Sequence, residues 1–153
     1  GTSAVPLCSP SLLEGPKPLH EPQDLANHTL LHDETPWLGR PHWNDWLAKA
    51  GVNNVDTTHG PHFSTVQLLL QAAIDGQGIA LTMDVLAARD IELGRLVVPF
   101  PVQVPVDGAY YLVTLEETAE LPHIAAFRHW LLDEADAFRV RNPRDDGIPR
   151  PQR

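Results

Sequence analysis

The stretch Phe63-Ser64-Thr65-Val66-Gln67-Leu68-Leu69-Leu70-Gln71-Ala72-Ala73-Ile74-Asp75-Gly76-Gln77-Gly78-Ile79-Ala80-Leu81 decides the fold class. Ser64 or Thr65 is placed to cap a helix, because a short hydroxyl can accept from the first free N–H groups. Val66, Leu69, Leu70 and Ala73 then recur at helical spacing and give one apolar stripe. Gly76 ends the helix, and Gly78 leads straight into a small apolar strand through Thr82. A helix that turns directly into a buried strand is a unit of an α/β layer fold. The helix N-terminus is a mouth suited to a small polar or anionic ligand.

Working outward, Thr57 to Phe63 is predicted as a strand interrupted by Gly60-Pro61, with Pro61 demoting it to an edge or a hinge. Trp43, Trp46, Leu47 and Ala50 follow i, i+3, i+4, i+7 and predict a helix over Pro41–Ala50, stopped by Gly51. Both indoles on that stripe require a partner for their N–H groups if they are buried. Thr29–His32 and Val5–Cys8 are predicted strands. Ser9-Pro10-Ser11 is predicted as a capped single turn, and Glu21–Ala26 as a helix start. Asp84–Arg89 is a predicted short helix and Gly94–Phe100 a strand. Residues 99–108 are proline-rich and predicted as an extended crossover. Ala109–Thr114 is a predicted strand, and Pro122 opens a last helix with Phe127, Leu131, Ala135 and Phe138 on its apolar face.

The 153 residues suffice for one ordinary domain, and 42% apolar with 20% charged residues is a globular composition. No apolar run reaches the ~18 residues of a membrane span. Val5-Pro6-Leu7-Cys8 follows the first four residues directly, with no secretory leader pattern and no initiator Met, so the chain reads as a piece of a longer protein. The single Cys8 points to a reducing compartment, and its setting to a small buried hydrophobe. Net charge is −9; residues 139–153 carry five Arg against two Asp, a net +3, which leaves −12 for the rest. An acidic body argues against direct contact with nucleic acid. The proline-broken, arginine-rich end reads as a disordered tail.

Catalytic signatures are few. Gly76-Gln77-Gly78 follows a helix instead of a strand, the wrong order for a dinucleotide loop. No phosphate loop and no nucleophile elbow is present. His59 and His62 form a close pair, yet no Cys or carboxylate stands at ligand spacing beside them, and edge-strand histidine is the reading adopted. Asp33 and Glu34 follow a strand and read as solvated loop carboxylates. Tyr110 and Tyr111 are adjacent on the predicted strand and point to opposite faces, which leaves one phenol for a cleft. No cofactor and no catalytic residue is expected, so the chain reads as a sensing domain and not as an enzyme.

Several ordered segments resemble the effector-binding region of LysR-type transcriptional regulators, with the glycine-cleavage-activator subgroup nearest. They are Val5-Pro6-Leu7-Cys8-Ser9-Pro10-Ser11-Leu12-Leu13, Pro22-Gln23-Asp24-Leu25, His28-Thr29-Leu30-Leu31-His32-Asp33, Trp43 to Gly51, Gln71 to Leu81, Gly94-Arg95-Leu96-Val97, Tyr110-Tyr111-Leu112-Val113 and Phe127-Arg128-His129-Trp130-Leu131. The resemblance covers residues 4 to about 136. It implies a truncated lobe of the type 2 periplasmic-binding-protein fold, a Rossmann-like α/β sandwich. Residues 1–98 would be the second lobe, entered by strand 4–8; 99–108 the crossover; 109–138 a returning strand and helix of an incomplete first lobe; 139–153 the tail. Tyr110, Leu112, Phe127 and Leu131 would then lack partners, and the isolated chain would aggregate, dimerise or keep residues 105–140 loosely docked.

The resemblance further implies a small-molecule effector held by Ser64, Thr65, Tyr110, His32 and Asp33, with no metal. The full-length protein would be a cytoplasmic homodimer or tetramer, free of membrane. It would touch DNA only through a winged helix-turn-helix outside this chain. The alternatives are a lobe of a solute-binding protein, which shares the architecture, and a hydrolase using His59, His62 and a nearby acid.

Overall fold

The computed structural model describes residues 2–35, 39, 42–106 and 111–141. Two units separate, residues 1–108 and 109–153. The first is built on a five-stranded sheet: β1 (Thr2–Leu7), β2 (Leu30–Asp33), β3 (His62–Phe63), β4 (Ile79–Met83) and β5 (Val104–Val106). Strand order is β3-β2-β4-β1-β5. The β3-β2-β4 half is parallel, and β1 runs antiparallel to both β4 and β5.

Alternation along the strands sorts the core into two layers. Leu30, Ile79, Leu81 and Ala4 face one side, where Trp43, Trp46 and Leu47 of α1 (Trp43–Ala50) pack on them. Leu31, Ala80, Val5 and Leu7 face the other, under Leu69, Leu70, Ala72 and Ala73 of α2 (Val66–Ile74) and Ala87 of α3 (Asp84–Glu92). The result is the expected α/β sandwich. Both indoles are buried and both are satisfied. Trp43 Nε1 donates to the Leu31 carbonyl at 3.1 Å and Trp46 Nε1 to the Val102 carbonyl at 3.0 Å. Gly51 ends α1 at φ 72°, a left-handed cap.

Several predicted strands shrink. Thr57–Phe63 contributes only His62–Phe63, because Asp56 Oδ1 accepts from the N–H and hydroxyl of Thr58 and turns the chain there. Gly94–Phe100 reduces to one bridge between Cys8 and Val97. Within residues 99–108, Val104–Val106 pairs with β1; Pro105 is tolerated there because β5 is an edge. Cys8 is buried, and burial pushes its thiol up to about 11, the behaviour of a core residue and not of a nucleophile.

In the second unit, residues 111–115 carry no regular secondary structure where a strand was predicted, and Tyr110 lies outside the described residues. Tyr111 is 83% exposed. A short 3-10 helix (Glu116–Thr118) precedes α4 (Pro122–Arg141), so residues 139–141 of the predicted tail are helical; the rest of it lies outside the described residues. Phe127 and Trp130 touch each other, ring centroids 5.6 Å apart, yet both remain more than half exposed, and Leu112 is exposed as well.

Candidate functional site

In a parallel sheet the polar groups that meet ligands gather where the strands end and the following helices begin. Here β2, β3 and β4 all end on one side. Asp33 closes β2, Ser64-Thr65 link β3 to α2, and Asp84 opens α3 directly after β4. The register sets His32 beside His62 and Asp33 beside Phe63, with the Glu34 N–H donating to the Phe63 carbonyl at 2.7 Å.

Asp33 corrects the reading of Asp33 and Glu34 as solvated loop acids. It is the last residue of β2 and only 8% exposed. It stands two residues after Leu31, so its side chain leaves the sheet on the Leu31 face, the face that α2 covers. α2 begins at this same end of the strands. Its Oδ1 accepts from the Thr35 N–H at 2.8 Å and from the Thr35 hydroxyl. Its Oδ2 is buried with no hydrogen-bond partner. A buried acceptor left without a donor costs about 1–3 kcal/mol, and native proteins keep few such atoms.

Thr65 stands at the N-cap position of α2 in extended backbone (φ −136°, ψ 136°). Contrary to expectation its side chain makes no capping bond; only its carbonyl serves the helix, accepting from Leu69 at 3.2 Å. Ser64 and Thr65 are both exposed. The helix start therefore keeps donors and a hydroxyl available to a ligand.

His32 and His62 stack, ring centroids 4.5 Å apart and 15° from parallel. His32 Nε2 lies 2.9 Å from the His59 carbonyl, and His62 Nδ1 lies 3.0 Å from Glu34 Oε1. His59 Nδ1 lies 2.8 Å from Asp56 Oδ2. Bonds from the Thr58 side chain, the Thr58 backbone and His59 bring the Asp56 carboxyl down to about 2. These pairs are distributed along an edge, and among the described residues no group of three His, Cys, Asp or Glu could hold a metal ion. Thus the structure brings His32, Asp33, Ser64 and Thr65 to one end of the β2–β3 edge, while Tyr110 lies outside the described residues. Sequence reasoning missed Thr35. Its signal was Asp33-Glu34-Thr35 itself, because an aspartate two residues before a threonine favours a local side-chain-to-backbone turn.

A cavity of about 280 Å³ opens at the other end of β2, lined by Leu25, His28, Leu30, Val55, Asp56 and His59 among others. His28 Nε2 is buried there without a partner. Among the described residues no helix is long and apolar enough to cross a membrane.

Residues 2–136 match the family model for the LysR substrate binding domain. The chain is 48% identical over 141 residues to the glycine cleavage system transcriptional activator of Escherichia coli (strain K12), covering 90% of this chain and 45% of that protein. It is 35% identical over 130 residues to the homologue of that activator in Haemophilus influenzae, covering 83% of this chain and 40% of the relative. It therefore spans less than half the length of these relatives, both of them transcriptional regulators. The effector domain of the transcriptional regulator AmpR of Pseudomonas aeruginosa superposes with a TM-score of 0.71 at 30% identity, covering 94% of this chain and 66% of that one. The architecture, the order of its segments and these matches agree: the chain belongs to the LysR substrate binding domain family.

Proposed function

We propose that this chain is the effector-binding part of a LysR-type transcriptional regulator, and that its effector sits at the C-terminal ends of β2, β3 and β4. The carrying observation is that the exposed, side-chain-uncapped start of α2 and the buried, unpartnered Oδ2 of Asp33 occur at the same end of the strands. Ser64 and Thr65 contact the effector from the helix side and Asp33 from the strand side, while His32, on the other face of β2, borders the site from the β2–β3 edge. Residues 1–98 act as the second lobe, 99–108 as the crossover and 109–138 as part of the first lobe, with 139–153 as a tail. The effector biases the arrangement of lobes, and a homodimer or tetramer in the cytoplasm passes that bias to DNA through a segment outside this chain. Recognition here needs no bond-making, so the domain is not an enzyme.

The test is a thermal-shift screen of small metabolites on this chain and on Thr65→Ala. A ligand that binds only the native state raises its melting temperature. The reading predicts at least one metabolite that stabilises the parent chain, stabilises Thr65→Ala less and is recovered chemically unchanged. A metabolite that stabilises both equally, or is converted, contradicts it.

A further inference from the structure

Resting on that reading of the site, we infer that Thr82 positions Asp33: the Thr82 hydroxyl and Asp33 Oδ2 share one buried water molecule. Among the described residues four polar side chains are buried, Ser3, Ser9, Asp33 and Thr82. Of these, only Asp33 and Thr82 have a buried atom without a protein partner, Oδ2 and Oγ1. The sheet brings the two residues together. Leu30 pairs with Ile79 and Leu31 with Ala80. The same offset, carried to the strand ends, sets Asp33 beside Thr82. Side chains alternate along a strand, so Asp33 shares the face of Leu31 and Thr82 the face of Ala80. Leu31 and Ala80 belong to one core layer, and so does Val5, the partner of Thr82 on β1. Two orphaned polar atoms are therefore neighbours within an apolar layer, where buried polar groups are normally paired.

The spacing fits a single water. Adjacent strands lie about 4.8 Å apart. Two hydrogen bonds of about 2.8 Å that meet at one water oxygen span on the order of 4.5 Å. The chemistry fits as well. Water donates to the carboxylate, which only accepts, and it can accept from the hydroxyl. Bridging otherwise unsatisfied buried groups is what buried water does in proteins. Thr35 already holds Oδ1 through its N–H and its hydroxyl, so the bridge fixes the carboxylate at its second oxygen. Each carboxylate oxygen has two lone pairs, which leaves Asp33 able to accept from the effector. Thr82 itself is 0% exposed. It touches no effector and acts only through Asp33.

The experiment joins a crystal structure of the 153-residue chain, at a resolution that shows ordered water, to amide hydrogen exchange of Thr82→Val and Thr82→Ser. The crystal structure is expected to hold one water within about 3.2 Å of both atoms. A direct bond between Thr82 and Asp33, a cation in that place, or no density between the two atoms overturns the inference. Asp33→Asn keeps the water, because an amide serves it equally, so the exchange arm is set at Thr82. Thr82→Val removes the hydroxyl at nearly constant shape. The Thr35 N–H, which donates to Asp33 Oδ1, is then expected to exchange about fivefold faster or more relative to the amides of α1 on the opposite face. Thr82→Ser restores the hydroxyl and should return that ratio to within about twofold of the parent. A ratio unchanged in Thr82→Val, or not rescued in Thr82→Ser, marks a structural hydroxyl and overturns the positioning role. Should Thr82→Val not fold, the crystal structure decides alone. Both measurements are made without effector, so their failure leaves the effector reading to be judged by the metabolite screen.

Discussion

The two ends of β2 each hold a buried polar atom without a partner, and they differ in everything around it. At the N-terminal end, His28 Nε2 lies among loops that are tied to one another and to the strand. Asp56 holds Thr58 and His59, and the backbone of Gly60 and Gly78 presses against Leu30 and Thr29. At the C-terminal end, Asp33 Oδ2 is buried at the end of the strands where a helix with an unused cap hydroxyl starts. Closeness of backbone marks the first as construction. Unmet donors and an unmet acceptor at one end of the strands mark the second as recognition. Substitutions at the N-terminal end should therefore cost stability, and substitutions at the C-terminal end should cost binding.

The largest effect is expected at Gly60. A Cβ there would stand 2.0 Å from the Leu30 carbonyl oxygen, and φ is +122°. Gly60→Ala should lose about 3–5 kcal/mol in urea unfolding, or fail to fold. Gly78→Ala comes next, because its Cβ would meet the Thr29 carbonyl oxygen at 2.4 Å; about 2–4 kcal/mol is expected from the same measurement. If either variant keeps parental stability, the N-terminal end is not the tight junction described. Asp33→Asn, by contrast, should unfold within about 1 kcal/mol of the parent, since Oδ2 makes no bond to lose. A loss as large as that at Gly60 would make Asp33 structural and erase the distinction.

The smallest effect concerns Asp56. Its folded carboxyl sits near 2, below the ordinary 3.8, so its contribution is complete above about 3.8 and is lost as pH falls toward about 2. The stability gap between the parent and Asp56→Asn should close over that window. A gap that widens on acidification would reverse the sign and refute the network of Thr58 and His59. The group is fully exposed, so the change is small.

How far these ends were legible in the sequence differs as well. The stripes of α1 and α2 were readable because helical periodicity is local: Trp43, Trp46 and Leu47 declare one face, and Val66, Leu69, Leu70 and Ala73 another. The short strands were not, because β3 is two residues long and exists only through its bonds to β2. Val104–Val106 was hidden for the same reason, since pairing with β1 brings together residues about a hundred positions apart. Of the site, the helix mouth at Ser64-Thr65 was visible as a capping pattern, although the cap itself is not made. The burial of Asp33 was invisible. It depends on strand alternation meeting a helix that arrives thirty residues later, and no local pattern carries that. Trp130 and Phe127 show the converse: the periodicity of α4 is plain, but a stripe states only that a helix has an apolar face, not what covers it.

The most direct test is amide hydrogen exchange of the 153-residue chain with and without a metabolite that raises its melting temperature in the screen. The account predicts slowed exchange at Glu34 and Thr35 and at Val66, Gln67 and Leu68, where strand end and helix start meet. Slowing at residues 25–30 and 55–60 instead would move the ligand to the opposite end of β2 and contradict it.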